Sequence, residues 1–327
     1  MVYLFRGYFE TWLCRFLKQG AETTYRKSIL YRFTLEILIT ILVAIIPFNA
    51  DAVEKRALLI GISDYPTVKG HPELEWCDIH GANDIVTLTP TLKKQGFKIT
   101  SLIDSKATAV NIRKAFNQLE ASTTTGDLIY IHFSGHGQAV EDKNGDEIDG
   151  WDEAIIPYDA RIKYAKGTYE GENHILDDEL ESYFTAIRNK IGRGGYLYIV
   201  LDACHMGGAS RGDEEEEDEI FIRGTDNGFS PSGKRYIPKI DRRGNMKVAS
   251  SGGNLSGICI LEACRAYQTN AEIKQNGKYY GPLSYYINQY LTDKDLTSNN
   301  SWVESVRALM NKDKRLIKQN MVIESNQ

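Results

Sequence analysis

The 327-residue chain has few cysteines and no excess of positive charge. Its five cysteines include no C-x-x-C pair, so the sequence offers neither a dense disulfide framework nor the usual zinc-binding spacing. A formal net charge of −5 excludes the basic surface on which nucleic-acid binding depends. The apolar run at 37–46 is too short to cross a bilayer of about 30 Å. What remains is a globular chain long enough to bury a substantial core.

The first 53 residues differ in composition from the rest of the chain. Basic and aromatic residues precede the apolar run at 37–46, and small residues follow it at Ala50 and Ala52. This order is typical of an export signal, although the basic stretch is long for one and Glu36 lies at the edge of the run. An amphipathic membrane-surface helix or an uncleaved anchor is the alternative. We therefore predict an exported or membrane-anchored protein whose folded domain begins at residue 54.

After residue 54, short apolar segments alternate with amphipathic ones. The predicted strands cover 56–62, 97–103, 127–133, 196–201 and 258–261. The predicted helices cover 83–95, a segment capped by Thr108, 177–190, 283–291 and 301–317. This alternation predicts an α/β fold, a three-layer sandwich with a mainly parallel central sheet. In such sheets a ligand binds beyond the carboxyl ends of the strands.

Residues 213–253, between the fourth and fifth predicted strands, show no periodicity. The segment starts with seven consecutive acidic residues, beginning at Asp213, and continues with glycine, serine, proline and basic residues. Because this composition is a poor core former, we expect a flexible linker. It would divide the folded domain into a larger part, 54–212, and a smaller part, 254–327.

A thiol and an imidazole follow two neighbouring predicted strands. Cys204 comes after the fourth strand, and His136, between two glycines, comes after the third. A base beside a thiol favours the nucleophilic thiolate, and imidazole has a suitable pKa. The N–H groups of Gly137 and Cys204 are the expected donors to the developing oxyanion. An inert buried cysteine is the alternative, and His205 is the weaker candidate base because adjacent side chains usually diverge on a turn.

Five segments of the sequence carry a recognisable pattern: FSGHGQAVEDKNGDEIDGWDEAIIPYD (133–159), HILDDEL (174–180), IVLDACHMGG (199–208), LEACRAYQTNAEI (261–273) and YYGPLSYYI (279–287). Together and in this order they resemble metacaspases and other caspase-like cysteine peptidases. The resemblance implies a caspase-like fold and a peptide hydrolase with His136 as general base and Cys204 as nucleophile. Asp202 stands where caspases have glutamine, and His136 lies 68 residues before Cys204 rather than about 50. Both departures favour the metacaspases.

The resemblance also implies a pocket for the residue before the scissile bond, lined by Asp84, Ser134 and Asp202. A carboxylate two residues before the nucleophile would attract a cationic side chain, so we expect protein or peptide substrates cut after Arg or Lys. Gly81 replaces the family's usual cysteine in the loop leading to Asp84, so the resemblance does not define that part of the pocket. A basic-specific peptidase would also find cleavage sites in its own linker. The candidates are Arg223, Lys234, Arg235, Lys239, Arg242, Arg243 and Lys247.

Members of this family often need calcium, and the matching acids are Asp152, Asp177, Asp178 and Asp213. Carboxylate oxygens suit calcium, whereas Asp177 and Asp178 could instead be acids at the start of a helix. Residues 142–147 resemble the start of an EF-hand loop, but Glu147 stands where the loop needs glycine, so we interpret them as a surface acidic turn. We expect no cofactor for the chemistry, Ca²⁺ as an activator, and a monomer.

Two other functions remain open at this point. A catalytically silent caspase-like domain could serve as a binding or signalling module, although the presence of both His136 and Cys204 argues against it. A cysteine hydrolase of non-peptide amides would react with thiol alkylators in the same way, but it would not cleave arginyl or lysyl peptides.

Overall fold

The computed structural model describes residues 53–205, 219–238, 240, 246–247 and 253–326, together with Arg32 and Glu36. The predicted signal or anchor, apart from Arg32, Glu36 and Val53, therefore lies outside the described residues, as does Asp213. Within the described part of the chain, no helix is both long enough and apolar enough to cross a membrane.

The predicted alternation of strands and helices is confirmed. The strands are β1 (Lys55–Gly61), β2 (Phe97–Ile103), β3 (Leu128–Ser134), β4 (Gly137–Glu141), β5 (Trp151–Ile155), β6 (Ile175–Leu176), β7 (Tyr196–Asp202), β8 (Met246–Lys247), β9 (Gly257–Glu262), β10 (Ile273–Gln275), β11 (Lys278–Tyr280) and β12 (Val322–Ser325). The α-helices are α1 (Gly81–Lys94), α2 (Ala109–Ser122), α3 (Asp177–Ile191), α4 (Pro282–Asp293) and α5 (Ser301–Met310). Short 3₁₀ turns lie at Pro72–Leu74, Asp104–Lys106 and Lys314–Leu316.

The central sheet has the strand order β2-β1-β3-β7-β9-β12-β8. The pairs from β2 to β9 are parallel, and β12 runs antiparallel to β9. Alternate residues of each strand face opposite layers: Leu58 and Ile60 pack with α2 and α3, whereas Ala57 and Leu59 pack with α1, α4 and α5. Full burial of a leucine or isoleucine side chain contributes about 1.5–3 kcal/mol to folding. The apolar side chains on the two faces of the sheet therefore form the core of the domain. The result is the expected three-layer α/β sandwich.

A second, antiparallel sheet of β4, β5 and β6 follows the third strand of the central sheet. The sequence did not predict it, because its strands are short and an acidic turn separates the first two. It matters for function because β4 begins at Gly137, directly after His136.

Part of the insert expected to be a flexible linker is folded against the domain. Phe229 is 1% exposed, and its backbone pairs with Ala139 and Glu141 of β4. Tyr236 is buried against Trp151. The expectation of an unstructured linker is therefore wrong for residues 219–238. Its few aromatic residues are isolated in sequence and produce no period, yet each fills a separate gap in the core.

Two helices differ in detail from the prediction. Pro90 lies inside α1 without ending it, because it sits on the exposed face, where water can bond the carbonyl that lost its N–H partner. The helix predicted for 301–317 ends at Met310. There the chain turns, and the Asp313 carboxylate accepts the N–H of Arg315 in a separate 3₁₀ turn.

Candidate active site

The parallel pairing of β3 and β7 brings the two predicted catalytic segments together. Ser134 and Asp202 are register partners at the carboxyl ends of these strands. A Cβ atom at Gly137 would lie 2.8 Å from the carbonyl oxygen of Cys204. The close approach of these two backbone segments therefore requires glycine at position 137. A cavity of about 600 Å³ opens beside Cys204. The position agrees with the general rule for ligand sites in parallel sheets.

His136 is fully buried beneath aromatic side chains. Its ring stacks on Trp76, with centroids 4.6 Å apart, and lies 5.1 Å from the ring of Tyr65. The Nε2 atom lies 2.9 Å from the carbonyl oxygen of Cys77 and 3.7 Å from its sulfur. The His136 N–H donates to the Tyr65 hydroxyl, which in turn donates to the Ile156 carbonyl. The orientation of the imidazole is therefore fixed before any substrate binds.

These contacts determine which ring nitrogen of His136 carries the proton. A carbonyl oxygen can only accept, so the bond to Cys77 places the hydrogen on Nε2. Burial, with a further contribution from the charge of Arg223, lowers the pKa of His136 to about 4 even though the Cys77 bond opposes the shift. The ring is therefore neutral near pH 7, and Nδ1 carries a lone pair. Nδ1 is buried and has no hydrogen-bond partner among the residues the structure describes.

The thiol of Cys204 lies in a polar contact of its own. Its sulfur lies 2.7 Å from the Gln268 carbonyl oxygen, which also accepts a hydrogen bond from the Cys264 thiol at 3.5 Å. His205, the weaker candidate base, lines the cavity beside Cys204, and its Nδ1 lies 3.5 Å from the Glu153 carboxylate. The His205 ring thus contacts the Glu153 side chain of β5 while it lines the same cavity as Cys204.

The two amides expected to bind an oxyanion already bind an oxygen. The N–H of Gly137 and that of Cys204 both donate to the carbonyl oxygen of Arg223, at 3.2 and 2.9 Å. Two donors directed at one oxygen are the arrangement that stabilises a tetrahedral oxyanion. Arg223 was predicted only as one of several cleavage candidates, and the structure places it inside the site.

The chain around Arg223 is extended and adds a short antiparallel strand to the segment before β10. The Arg223 N–H donates to the Asn270 carbonyl, Ile222 bridges Ala271, and the Glu272 N–H donates to the Phe221 carbonyl. Main-chain pairing of this kind is how an extended peptide is held at an exposed strand edge.

The Arg223 side chain occupies the predicted pocket and is fully buried. Its Nη1 lies 2.8 Å from the Asp84 carboxylate, 2.5 Å from the Ser134 hydroxyl and 3.6 Å from the Asp202 carboxylate. Burial alone would lower the pKa of this guanidinium, but Asp84, Glu272 and Asp202 outweigh it and raise the pKa above its ordinary value. The three residues predicted to line the pocket therefore converge on one cation.

The two aspartates of the pocket are held by neighbouring groups. Asp202 accepts 2.7 Å hydrogen bonds from the N–H and the hydroxyl of Ser284 and a third bond from the Asn270 amide. Asp84 accepts the Gly281 N–H at 3.2 Å. Burial, followed by the like charge of Asp202, raises the pKa of Asp84 to about 7 despite the opposing effect of the guanidinium. The pocket is thus costly to keep empty and favours a cation.

The acidic turn at 142–147 lies against one of the predicted calcium ligands. One carboxylate oxygen from each of Asp142, Asp146 and Asp152 falls within a group whose atoms are all within 4.8 Å of one another. Asp152 is 4% exposed, and its Oδ1 is buried without a partner among the described residues. Burial and the surrounding acids raise the pKa of Asp152 to about 6. The turn is therefore more than a solvated surface feature, because its acids share a site with Asp152.

The other predicted calcium ligands lie beside this group in different surroundings. Asp177 and Asp178 begin α3, and Asp178 accepts a bond from the amide of Asn144, which also donates to Asp146. Asp177 accepts the Glu153 N–H at 3.3 Å, and burial raises its pKa to about 7.

The remaining cleavage candidates differ sharply from Arg223. Lys234 lies over the ring of Trp151, 5.2 Å from its centroid, and Arg235 is exposed. The side chains of Lys239, Arg242, Arg243 and Lys247 lie outside the described residues. Sequence reasoning missed Glu272, which lies in the quoted segment LEACRAYQTNAEI but carries no local signal that marks it as a ligand of a guanidinium.

Comparison with known proteins gives consistent results. A family model described as the caspase domain matches residues 54–327. Metacaspase-1 of Schizosaccharomyces pombe is 26% identical over 292 residues, which cover 79% of this chain and 64% of that protein. Metacaspase-7 of Arabidopsis thaliana is 36% identical over 164 residues, which cover 47% of this chain and 35% of that protein. The aligned region is thus less than two thirds of the length of either relative.

A solved structure adds a likeness of fold. A crystal structure of a Geobacter sulfurreducens protein superimposes with a TM-score of 0.54 at 18% identity, covering 83% of this chain and 93% of that one.

Proposed function

The chain belongs to the caspase-domain family of cysteine peptidases, and we propose that it is an endopeptidase that cleaves after a basic residue by means of Cys204 and His136. The observation that carries the proposal is the position of Arg223. Its carbonyl oxygen accepts the Gly137 and Cys204 amides, while its guanidinium fills the carboxylate pocket. One residue thus occupies an oxyanion site and a cation pocket together, as the residue before a scissile bond would.

The first step follows from the state of the two side chains. Neutral His136, with its proton on Nε2 and its lone pair on Nδ1, takes the proton of the Cys204 thiol as that thiol leaves the Gln268 carbonyl. The thiolate attacks the carbonyl carbon of the bound residue, and the carbonyl π-electron pair moves to oxygen. The Gly137 and Cys204 N–H groups bind the resulting oxyanion. A tetrahedral intermediate forms.

Collapse of this intermediate breaks the peptide bond. His136 returns the proton from Nδ1 to the leaving amine, and the acyl group stays on sulfur as a thioester. Water then attacks the thioester, His136 removes its proton, and the carboxylate product leaves as Cys204 recovers its own proton. The hydrogen bond from Nε2 to the Cys77 carbonyl persists throughout, so the proton transfers take place at Nδ1.

The same geometry supports self-processing at one bond of the linker. The segment before the bond between Arg223 and Gly224 lies extended along residues 270–272, and among the described candidate side chains Arg223 is the one in the pocket. As long as this bond is intact, the Arg223 side chain occupies the pocket and excludes other substrates.

N-terminal sequencing of incubated protein tests the proposal. Wild-type protein should yield a new fragment that begins with Gly224, whereas Cys204→Ala and Arg223→Ala proteins should stay uncut at this bond. Arg235→Ala, which removes an exposed arginine of the same segment, is the matched control and should be cut normally. A first cut elsewhere in the linker, or a cut that persists in Cys204→Ala, would overturn the proposal.

We further propose that Ca²⁺ binds to the acids of the 142–147 turn and to Asp152. The fit rests on the hard oxygen donors of Asp142, Asp146 and Asp152 and on the buried Asp152 oxygen that lacks a partner among described residues. A bound cation would supply positive charge that offsets the mutual repulsion of these acids. Asp152 belongs to β5, which pairs with the β4 strand that begins at Gly137. Ordering of the turn would therefore steady the strand that carries one of the two amides.

A further inference from the structure

A third buried carboxylate binds the Arg223 guanidinium on the side away from Asp84. Oε1 of Glu272 lies 3.0 Å from Nε and 2.8 Å from Nη2 of Arg223. The Glu272 side chain is fully buried, like those of Asp84 and Asp202. The site thus contacts the guanidinium at all three of its nitrogens.

Glu272 is held in place by a residue of the loop that leads into α1. The His80 N–H donates to Oε1 at 2.8 Å, and its Nδ1 lies 2.6 Å from Oε2. The His80 ring is fixed in turn, because it stacks on Tyr279 at 5.0 Å and meets the edge of Phe221 at 4.5 Å. The carboxylate is therefore preorganised and pays little entropy when a guanidinium binds.

The contacts divide the guanidinium between two sets of residues. Asp84, Ser134 and Asp202 gather at Nη1, where any cationic head group could be attracted. Among the residues that the structure describes, Glu272 alone meets Nε and Nη2. A lysine chain has a methylene group at the position of Nε and offers only a compact ammonium at its end. An acceptor placed between Nε and Nη2 therefore distinguishes the two side chains.

We propose that Glu272 is the specificity-determining residue that makes the site select arginine over lysine before the scissile bond. The inference rests on the proposed function, since it assumes that Arg223 binds as a substrate residue before the scissile bond would. All three carboxylates attract a cation, and Glu272 adds the choice between cations because it meets Nε and Nη2.

Peptide hydrolysis by the processed enzyme is the direct test. Two fluorogenic peptides that differ only in Arg or Lys at the cleavage position would be assayed with wild-type protein, E272Q and the shorter carboxylate variant E272D. Loss of one hydrogen-bonded charge contact should lower kcat/KM for the arginyl peptide about 10- to 100-fold in E272Q. The value for the lysyl peptide should change less than about fivefold, so the Arg:Lys ratio collapses. E272D keeps the charge but holds it one methylene farther from the guanidinium, so it should lower the Arg:Lys ratio by a smaller factor.

Glu153→Gln is the matched control. Glu153 lines the cavity beside Cys204, and its carboxylate lies 3.5 Å from His205 Nδ1, so the variant removes the same charge without touching the guanidinium. It should leave the Arg:Lys ratio as in wild type. If kcat/KM fell equally for both peptides in E272Q and E272D, so that the Arg:Lys ratio stayed unchanged, the inference would be overturned. That result would show that Glu272 merely holds the folded site together.

Self-processing gives a second readout that needs no added substrate. R223K should slow the cut after position 223 at least tenfold in the wild-type background and less than about threefold in the E272Q background. Equal slowing in both backgrounds would also overturn the inference. Failure of the proposed function looks different: wild-type protein would then cleave neither peptide and would not cut itself.

Discussion

Gly137 and Cys204 donate their backbone N–H groups to the same atom, the carbonyl oxygen of Arg223. The two donors come from different parts of the fold, since Gly137 opens β4 of the second sheet and Cys204 follows β7 of the central sheet. Their convergence is thus a property of the tertiary fold. Electrostatic stabilisation is strongest when such donors are already in place, because none has to reorient as charge develops.

Loss of either predicted catalytic side chain should abolish hydrolysis. Cys204→Ala removes the nucleophile, and His136→Gln removes the base, a contribution of about 10²- to 10⁴-fold. Initial rates on an arginyl peptide would measure both, with circular dichroism to confirm folding. His205→Gln is the control and should retain most activity, because the His205 ring faces Glu153. Full activity of His136→Gln together with inactive His205→Gln would reverse the assignment.

Asp202→Asn should weaken cleavage after both arginine and lysine. The change removes one pocket charge and keeps the shape of the side chain, and a hydrogen-bonded charge contact contributes about 1.5–3 kcal/mol. The kcat/KM values of both peptides should therefore fall about 10- to 150-fold together. Thermal unfolding would verify that the variant is folded, since Asp202 also accepts the bonds from Ser284. Unchanged kcat/KM values would place the basic side chain elsewhere.

The pH profile should report Asp84 rather than the histidine. The pKa of Asp84 is raised to about 7, so lowering the pH through 7 neutralises the carboxyl and weakens its attraction for a cation. His136, with a pKa of about 4, stays neutral over this range and does not titrate. The Arg223 guanidinium opposes this shift, so the pKa of Asp84 is higher still in the empty pocket of the processed enzyme. For wild-type enzyme, kcat/KM should therefore fall as the pH drops through a limb that begins above pH 7, and then level off. In Asp84→Asn, activity is lower throughout and this limb disappears. A limb that remains there in the variant would assign the titration to another group.

Calcium should stabilise the folded protein through the 142–147 turn. A ligand that binds only the native state adds about 2.7 kcal/mol at a concentration one hundred times its Kd. The melting temperature of Cys204→Ala protein, which cannot cut itself, should therefore rise with added Ca²⁺. Asp146→Asn should reduce this rise, and Asp152→Asn should abolish it. Glu170→Gln, an exposed carboxylate outside the cluster, is the control. Equal shifts in all three variants would place calcium at another site.

Phe229→Ala should destabilise the whole domain. Phe229 is 1% exposed and packs on Tyr164, Tyr169 and His174, and removal of a buried aromatic ring costs about 3–5 kcal/mol. Urea denaturation of the Cys204→Ala background would measure the change without interference from self-cleavage. Ile237→Ala, at a side chain that is 72% exposed in the same segment, should have little effect. Equal stability of the two variants would mean that this segment contributes nothing to the fold.

The parts of the fold that the sequence predicted are those with a strong local signal. The segments that became β3 and β7 are continuous apolar runs, and their ends lead directly to His136 and Cys204. The β4–β6 sheet was missed because its strands are short, and neither the apolar pattern nor the turn at 142–147 indicates pairing. The pocket aspartates were identified by resemblance, and the structure brings both to one guanidinium.

The position of Arg223 could not be deduced from composition. Its ligand Glu272 lies 49 residues away in sequence, and the pairing that joins their segments is made by backbone groups, which all residues share. The acids and glycines around Arg223 indicate a linker, and only the tertiary fold distinguishes this arginine from the exposed Arg235. Glu272 was missed for the same reason, because an isolated glutamate carries no sign that a guanidinium will face it.

The strand pairing at residues 221–223 has a consequence for the timing of activation. In the proposed self-processing, hydrolysis after Arg223 would leave the contacts of its guanidinium and the main-chain bonds to residues 270–272 in place, since both lie on the amino-terminal side of the cut. The newly formed chain end would thus be a tethered product that still blocks the groove. Activation would then proceed with a lag set by the dissociation of this peptide, and chain scission seen on a gel would precede the onset of turnover on other proteins.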